Sequence, residues 1–158
     1  PPSRCQQAHA RGAAMSGTWR IGPAVALAQL QATIATADAG PGPSKVQLFT
    51  TSRHATADGA MGDVPQAEVL LAVPCATIEG GALVLHVADE GGTLVQTTGL
   101  PRWGQWVNGA GALVAEGSVT DDANGGDFQV TGGTTPPGET SPLLQAGGLV
   151  VLGATSLT

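Results

Sequence analysis

The sequence predicts an all-β fold: a single domain built as an antiparallel β-sandwich or jelly roll, with one N-terminal helix and an irregular N-terminal arm. Three observations predict it. Short aliphatic and β-branched runs recur along the chain, turns rich in glycine and proline separate them about every 8 to 12 residues, and only one segment has helical spacing. Because no helices separate the strands, parallel βαβ units are excluded.

The chain divides into three parts. Residues 1–22 are the predicted arm, since this stretch has neither periodicity nor the continuous apolar core of a signal peptide. Two origins fit it equally: sequence upstream of a start at Met15, or an extended segment that reaches a neighbouring subunit. Residues 23–40 are the predicted helix and linker, and residues 44–158 the β-sandwich domain.

Residues 23–38 are the helix candidate. Pro23 suits the first helical turn, where its missing N–H costs nothing, and Gly40 suits a left-handed cap. The apolar residues that fall on one helical face are Leu27, Leu30 and Ile34. Apolar residues alternate at positions 25–29, which also permits a strand. The sequence alone therefore leaves helix and strand open for this segment.

The clearest strands are the apolar runs 69–73 and 83–87, joined by a bend that contains Gly80 and Gly81. Further strands are predicted at 45–50, 93–97, 103–107, 112–119, 127–131 and 149–152, the last of which closes the domain. Asn108–Gly109 indicates a hairpin, because Asn-Gly accepts positive φ at little cost. Residues 51–66 have no periodicity and form a long loop, which in a compact domain is functional or disordered.

The composition limits the choice of partners. Charged residues are 11% of the chain, less than half the usual share, so uncharged polar residues must supply the surface. Such a surface suits packing against other subunits, although an Ala/Gly-rich composition that results from a GC-rich genome explains the low charge equally well. The net charge is −6 and basic residues are few and scattered, which disfavours nucleic acid and anionic membranes as partners. No uncharged apolar run nears the roughly 20 residues of a transmembrane helix.

No catalytic signature is present. The chain contains the residue types of a Ser–His–Asp triad, for which His54 or His86 could supply the histidine. However, no serine lies in a Gly-x-Ser-x-Gly motif, which is the nucleophile turn of many hydrolases. Asp89 and Glu90 are adjacent in a turn, where such a pair solvates a hairpin tip rather than cleaving glycosides. We therefore predict no catalytic residues and a protein that is not an enzyme.

Metal and cofactor sites are also not predicted. The candidate ligands in the long loop are His54, Asp58 and Asp63, which lack the tight Cys/His spacing of structural zinc sites. The acidic turn 121–127 lacks the glycine and glutamate that an EF-hand requires at its sixth and twelfth positions, and we expect its aspartates to bond their own backbone. Cys5 and Cys75 make no disulfide framework, and Cys75 is most simply a small buried residue.

Trp103 and Trp106 lie three residues apart on one predicted strand, so their rings face opposite sides of the sheet. We expect one ring to fill the core and the other to be free for a partner, because aromatic residues are enriched at interface centres. One core ring and one ring packed under a loop is the open alternative. His86 lies mid-strand and faces away from its apolar neighbours, toward solvent or a subunit contact. These three residues and Trp19 are the predicted interface residues.

A family resemblance extends over residues 45–158. It is carried by KVQLFTTSR, AEVLLAVPCATIEGGAL, GLPRWGQWVNGAGALVAEGSV, DDANGGDFQV and AGGLVVLGATSLT. This pattern resembles a group of small proteins encoded in the structural-gene regions of tailed bacteriophages and prophages. The resemblance implies a virion component with a β-sandwich body, in which residues 134–142 look like an insertion.

From composition and resemblance we expect a non-enzymatic structural protein of a tailed-phage virion, assembled in the bacterial host cytoplasm. It would act as a capsid decoration or cement protein, with copies of itself and the major capsid or tail proteins as partners. The alternative is a tail-associated module of a fibre, spike or baseplate that binds a host surface glycan through Trp103 or Trp106. A small hydrolase ranks third. No cofactor, nucleic acid or membrane is expected as a partner.

Overall fold

The fold is that of a computed structural model, which describes residues 20–56 and 62–157. In this part of the chain the elements are α1 (Pro23–Ala37), β1 (Lys45–Phe49), β2 (Ala67–Glu79), β3 (Ala82–Val87), β4 (Thr93–Leu94), β5 (Trp103–Val107), β6 (Leu113–Thr120), β7 (Phe128–Thr131), β8 (Leu149–Leu152) and β9 (Ser156–Leu157). The predicted helix is confirmed, and every predicted strand coincides with an observed one. Strand β4 is shorter than predicted, and β9 follows the strand that was expected to close the domain.

All nine strands belong to one curled mixed sheet in the order β4–β8–β7–β6–β5–β1–β2–β3–β9. Only residues 153–155 separate β8 from β9, yet these strands lie toward opposite ends of that order. An extended chain from the last residue of β8 to the first of β9 spans at most about 14 Å. The sheet therefore curls until its β3 side approaches its β7–β8 side, and the mostly β character predicted from the sequence is confirmed.

One strand pair departs from the predicted antiparallel arrangement. β6 and β7 run parallel, with Val119 opposite Phe128 and Thr120 opposite Gln129. Parallel neighbours normally need a long crossover. Here the pairing involves only the last two residues of β6, so the short connection 121–127 is enough to bring the chain back alongside it.

The core lies inside the curl. Strand β1 alternates as expected, with Val46 and Leu48 fully buried, and Val46 lies opposite Trp106 of β5. Every residue of β5 is buried, so both faces of this central strand are covered. Because the strand is covered on both sides, its two tryptophans have different surroundings.

Strand β2 is longer than predicted. The aliphatic run was expected to end before Pro74, but the strand continues to Glu79. The pairing of β2 with β3 shifts register between Leu71 and Ala76, and Pro74 lies within that shift. A proline is tolerated at such an irregularity because the ladder needs no N–H from it there.

Helix α1 packs only its C-terminal half on the sheet. Leu30 and Ile34 contact the core and Ala37 is buried, whereas the first turns are exposed. The predicted hairpin after β5 holds the end of the helix, since Asn108 Nδ2 donates to the carbonyl oxygen of Thr36 at 3.2 Å. Among the described residues, no helix combines the length and apolarity needed to cross a bilayer.

The glycine of that hairpin has a different role from the one predicted. The positive φ, +84°, falls at Gly111 rather than at Gly109. A side chain at Gly109 would meet the backbone of Gly42 in the linker after α1, with an added Cβ only 2.1 Å from the Gly42 carbonyl oxygen. Gly109 therefore permits a close approach of two backbones.

Candidate functional site

Trp103 lies under the loop that follows β1. Its ring stacks on Phe49 with centroids 4.5 Å apart, and it lies nearly perpendicular to the His54 ring with centroids 5.6 Å apart. Its Nε1–H donates to Thr51 Oγ1 at 3.3 Å. The first residues of the 51–66 loop thus shield this ring from solvent, and only 1% of Trp103 is exposed.

Trp106 fills the core on the other side of β5 and is 0% exposed. The predicted opposite orientation of Trp103 and Trp106 fits this arrangement, but the expectation that one ring is free to meet a partner is wrong. The open alternative, one ring in the core and one under a loop, is confirmed. Trp19 lies outside the described residues.

The carboxylate of Asp63 joins the two ends of the same loop. Asp63 Oδ2 accepts a hydrogen bond from Thr51 Oγ1 at 3.0 Å and lies 2.9 Å from His54 Nε2. A carboxylate only accepts, so Nε2 is the protonated nitrogen of His54. The third candidate ligand, Asp58, lies outside the described residues. Within the part of the chain that the structure describes, no three His, Cys, Asp or Glu side chains are grouped so as to hold a metal ion.

Arg53 ties this loop to β6. Its Nε donates to Glu116 Oε1 at 2.9 Å, and its Nη2 donates to the Glu116 carbonyl oxygen at 3.4 Å. The Glu116 side chain is only 7% exposed, and its Oε2 is buried with no hydrogen-bond donor among the described residues. A buried acceptor without a partner is unfavourable, so Glu116 is a position where a further donor would be stabilising.

His86 lies on the outer side of β3, as predicted. Its Nε2 lies 2.8 Å from Thr77 Oγ1, and that hydroxyl donates to Glu79 Oε1 at 2.8 Å. Because the single hydroxyl proton of Thr77 goes to Glu79, His86 Nε2 is the donor to Thr77. The imidazole is thus engaged by neighbours on β2, and a subunit contact at His86 stays a prediction.

The acidic turns are held by local hydrogen bonds, and Asp121 bonds to nearby backbone as predicted, since its Oδ1 accepts the N–H of Ala123 at 3.1 Å. Asp89 Oδ1 accepts the N–H of Gly91 at 2.8 Å, which shapes the turn after β3. Asp121 accepts from Thr135 Oγ1 at 2.5 Å and from Asn124 Nδ2 at 2.6 Å. These hydrogen bonds, that of Thr135 above all, lower the pKa of Asp121.

The exposed apolar surface beside β4 was not predicted from the sequence. Leu94 of β4 and Leu149 of β8 are cross-strand partners, and each is about half exposed, at 50% and 53%. A groove of about 390 Å³ lies between Leu94 and the segment Val64–Pro65, and Val64 is 79% exposed. We call Val64, Leu94 and Leu149 the β4 apolar patch. The alternation that buries Val95 turns Leu94 outward, which is the one signal in the sequence for it.

Helix α1 presents a second exposed apolar surface. Ile21, just before the helix, and Val25 and Leu27 within it are all exposed. No charged residue occurs anywhere in Pro23–Ala37. The outward side of this helix is therefore apolar or neutral along its whole length.

Comparison of the chain with protein-family models, with curated proteins and with solved structures found no match.

Proposed function

We propose that the protein is a non-enzymatic structural component of a tailed-phage virion, a head decoration or cement protein that packs against its own copies and the major capsid shell. The observation that carries this proposal is the β4 apolar patch. Leu94 and Leu149 lie on paired strands, so their exposed side chains stand on a fixed surface. Exposed apolar groups clustered in this way are typical of surfaces that other proteins cover.

The low charge of the chain supports the same role. Only 11% of residues are charged, and α1 carries no charged residue at all. Large interfaces between permanent partners are depleted in charge at their centres. A surface of this kind can be covered without desolvating many ions, which is the expensive step in burying a polar face.

The predicted β-sandwich belongs to this proposal as well. We interpret the curled sheet as two facing layers, and what supports this is the shared core. Leu48 of β1 and Val150 of β8 lie far apart in the strand order, yet both belong to one buried cluster. Two layers that bury one core would leave the outer faces for contacts between subunits.

The tail-associated alternative loses its expected contact residues. A glycan-binding module was expected to use Trp103 or Trp106 as a stacking platform, and both rings are buried. The candidate histidines of a hydrolase are likewise engaged: His54 lies beside Asp63 and His86 donates to Thr77. The buried tryptophans therefore favour the decoration or cement role over a glycan-binding module, and we propose the virion as the place where the protein acts.

The β4 apolar patch supplies the test. The double variant Leu94→Gln/Leu149→Gln is supplied in place of the natural chain in the phage or prophage that encodes it, and its abundance in purified particles is measured by mass spectrometry. We expect a loss of incorporation, because two polar amides would have to be desolvated at the contact. Val73→Gln, which changes an exposed apolar residue outside the patch, within the register shift of β2, is the control and is expected to incorporate normally.

Circular dichroism of both purified variants shows whether they are folded. A folded double variant that enters particles at the natural level would overturn the patch as the contact surface. A natural chain that is absent from particles would overturn the virion role itself.

A further inference from the structure

The chain contains two asparagines, and each is followed by a glycine: Asn108–Gly109 and Asn124–Gly125. A pair of this kind can modify itself. The backbone nitrogen of the glycine attacks the amide carbon of the asparagine side chain, because a glycine has no side chain to hinder the approach. Since the two pairs have the same chemistry, the structure around each one decides whether it reacts.

The side chain of Asn108 is held at both ends of its amide. Only 7% of this residue is exposed. Its Oδ1 accepts the N–H groups of Ala110 and Ala112 at 3.0 and 2.9 Å, and its Nδ2 donates to the Thr36 carbonyl oxygen at 3.2 Å. The amide carbon of Asn108 therefore cannot turn toward the next backbone nitrogen unless these hydrogen bonds break.

Asn124 lies instead in the exposed turn between β6 and β7. Among the described residues its side chain makes one hydrogen bond, from Nδ2 to Asp121 Oδ1 at 2.6 Å. The space beside Gly125 is open, since an added Cβ would meet nothing within 4 Å, whereas the backbone of Gly109 lies against that of Gly42. The surroundings thus permit the geometry of attack at the second pair and oppose it at the first.

We propose that Asn124 is a site of self-modification, at which asparagine converts to aspartate and isoaspartate in the folded protein while Asn108 stays intact. The Gly125 nitrogen gives its proton to hydroxide and forms a bond to Asn124 Cγ. The Cγ–Nδ2 bond breaks, and Nδ2 takes up a proton from water and leaves as ammonia. Water then opens the resulting succinimide at either carbonyl, which gives aspartate or isoaspartate with no change of oxidation state.

Conversion removes a hydrogen bond that holds this turn. The carboxylate of Asp121 accepts from Asn124, from the Ala123 N–H and from Thr135 in the loop before β8. These hydrogen bonds, that of Thr135 above all, lower the pKa of Asp121, so it is ionised at neutral pH. A carboxylate in place of the Asn124 amide offers no donor and repels Asp121. The turn therefore loosens as the protein ages, whatever role the chain has in a particle.

Incubation of the full, folded chain in mildly alkaline ¹⁸O-labelled water tests the site. Cleavage after glutamate separates the two asparagines, because Asn108 lies in the peptide 91–116 and Asn124 in the peptide 117–139. Mass spectrometry then measures the conversion of each one, and methylation by an isoaspartyl methyltransferase detects isoaspartate. We expect conversion at Asn124 to be at least about tenfold faster, because Asn108 must first open against its three hydrogen bonds.

Two controls separate the effect of the fold from that of the sequence. In denaturant the two asparagines should convert at comparable rates. Asn124→Gln keeps the amide donor but places the amide carbon one bond farther from the backbone nitrogen, so position 124 should stay unconverted. Equal rates at Asn108 and Asn124 in the folded chain, or no conversion at Asn124 while the denatured chain reacts, would overturn the modification site.

The variant Asn124→Asp reproduces the aspartate product and tests its effect on the turn. We expect faster hydrogen exchange of the Ala123 amide in this variant than in the natural chain, because the carboxylate of Asp121 that accepts this N–H is displaced. Asn124→Gln, which retains the donor, should leave the exchange unchanged. Equal exchange in Asn124→Asp and the natural chain would overturn the loosening of the turn.

Discussion

The carboxylate of Asp38 receives the backbone N–H of Cys75, with Oδ1 and Oδ2 at 3.1 and 3.3 Å from the nitrogen. Asp38 is the C-cap residue of α1, and Cys75 lies in the register shift of β2, between Leu71 and Ala76. The strand ladder is interrupted there, so a side chain takes the place of a backbone acceptor. This contact joins the helix to the sheet.

Replacing Asp38 should therefore weaken the whole fold. Asp38→Ala leaves the N–H of Cys75 without its acceptor, and a buried donor without a partner costs about 1–3 kcal/mol of unfolding free energy. Urea denaturation checks this value. Asp122→Ala, an exposed change in the turn after β6, is the control and should stay within about 0.5 kcal/mol of the natural chain. An Asp38 variant as stable as that control would contradict the anchoring role.

The thiol of Cys75 should be unreactive in the native protein. Burial, with a smaller effect of the neighbouring Asp38 carboxylate, raises the pKa of Cys75 from 9.0 to about 12. At pH 8 this leaves on the order of a thousandfold less thiolate, which is the reactive form. Iodoacetamide labelling followed by peptide mass spectrometry should show Cys75 unmodified in buffer and modified in denaturant. Comparable labelling in both conditions would be inconsistent with the buried site.

The ion pair between Arg102 and Glu139 predicts a pH dependence. Arg102 Nη1 lies 2.6 Å from Glu139 Oε2, and this hydrogen bond lowers the pKa of Glu139. A lowered carboxyl pKa contributes stability above the ordinary glutamate value of about pH 4.3, and the contribution is lost as the pH falls through the lowered value. Titration of the Glu139 side chain by NMR should give a pKa below that of free glutamate. Arg102→Gln should raise it again, and an unchanged titration in that variant would show that the pair does not form in solution.

The two tryptophans should respond differently to loss of their indole N–H groups. Trp103 Nε1 donates to Thr51, whereas Trp106 Nε1 is buried without an acceptor among the described residues. Trp103→Phe loses a hydrogen bond and part of the stacking on Phe49, but Trp106→Phe removes a donor that was already unsatisfied. We expect Trp103→Phe to cost about 1 kcal/mol more unfolding free energy than Trp106→Phe, as measured by chemical denaturation. The reverse order would contradict these surroundings.

Local patterns in the sequence were enough to predict the helix and every strand of the described residues except β9. Pro23 with its apolar spacing favours α1, although alternation at 25–29 left a strand open, and alternation at Val46 and Leu48 indicates a half-buried β1. The parallel pair of β6 and β7 and the crossing of the chain from β8 to β9 were not predicted, since they depend on which strands meet after the chain has turned. Pairing of that kind has no local signature at positions such as Val119 or Ser156.

The candidate sites were predicted less well than the fold. Alternation correctly placed Trp103 and Trp106 on opposite faces, but only the fold shows that the loop after β1 covers Trp103 with His54. The exposure of Leu94 and Leu149 could not be predicted from the sequence either, because it depends on what the rest of the fold covers. Each is an ordinary apolar residue in a strand, and only the fold shows that the outward face formed by these two paired strands is left exposed.

The role that we propose is that of a structural protein whose exposed apolar surfaces become buried in contacts with other proteins of a phage particle. The most direct measurement is the number of copies per purified particle, determined by quantitative mass spectrometry against the major capsid protein. A decoration or cement protein predicts hundreds of copies and particles that burst at lower temperature when the chain is missing. A handful of copies, or none, in particles of unchanged stability would contradict it.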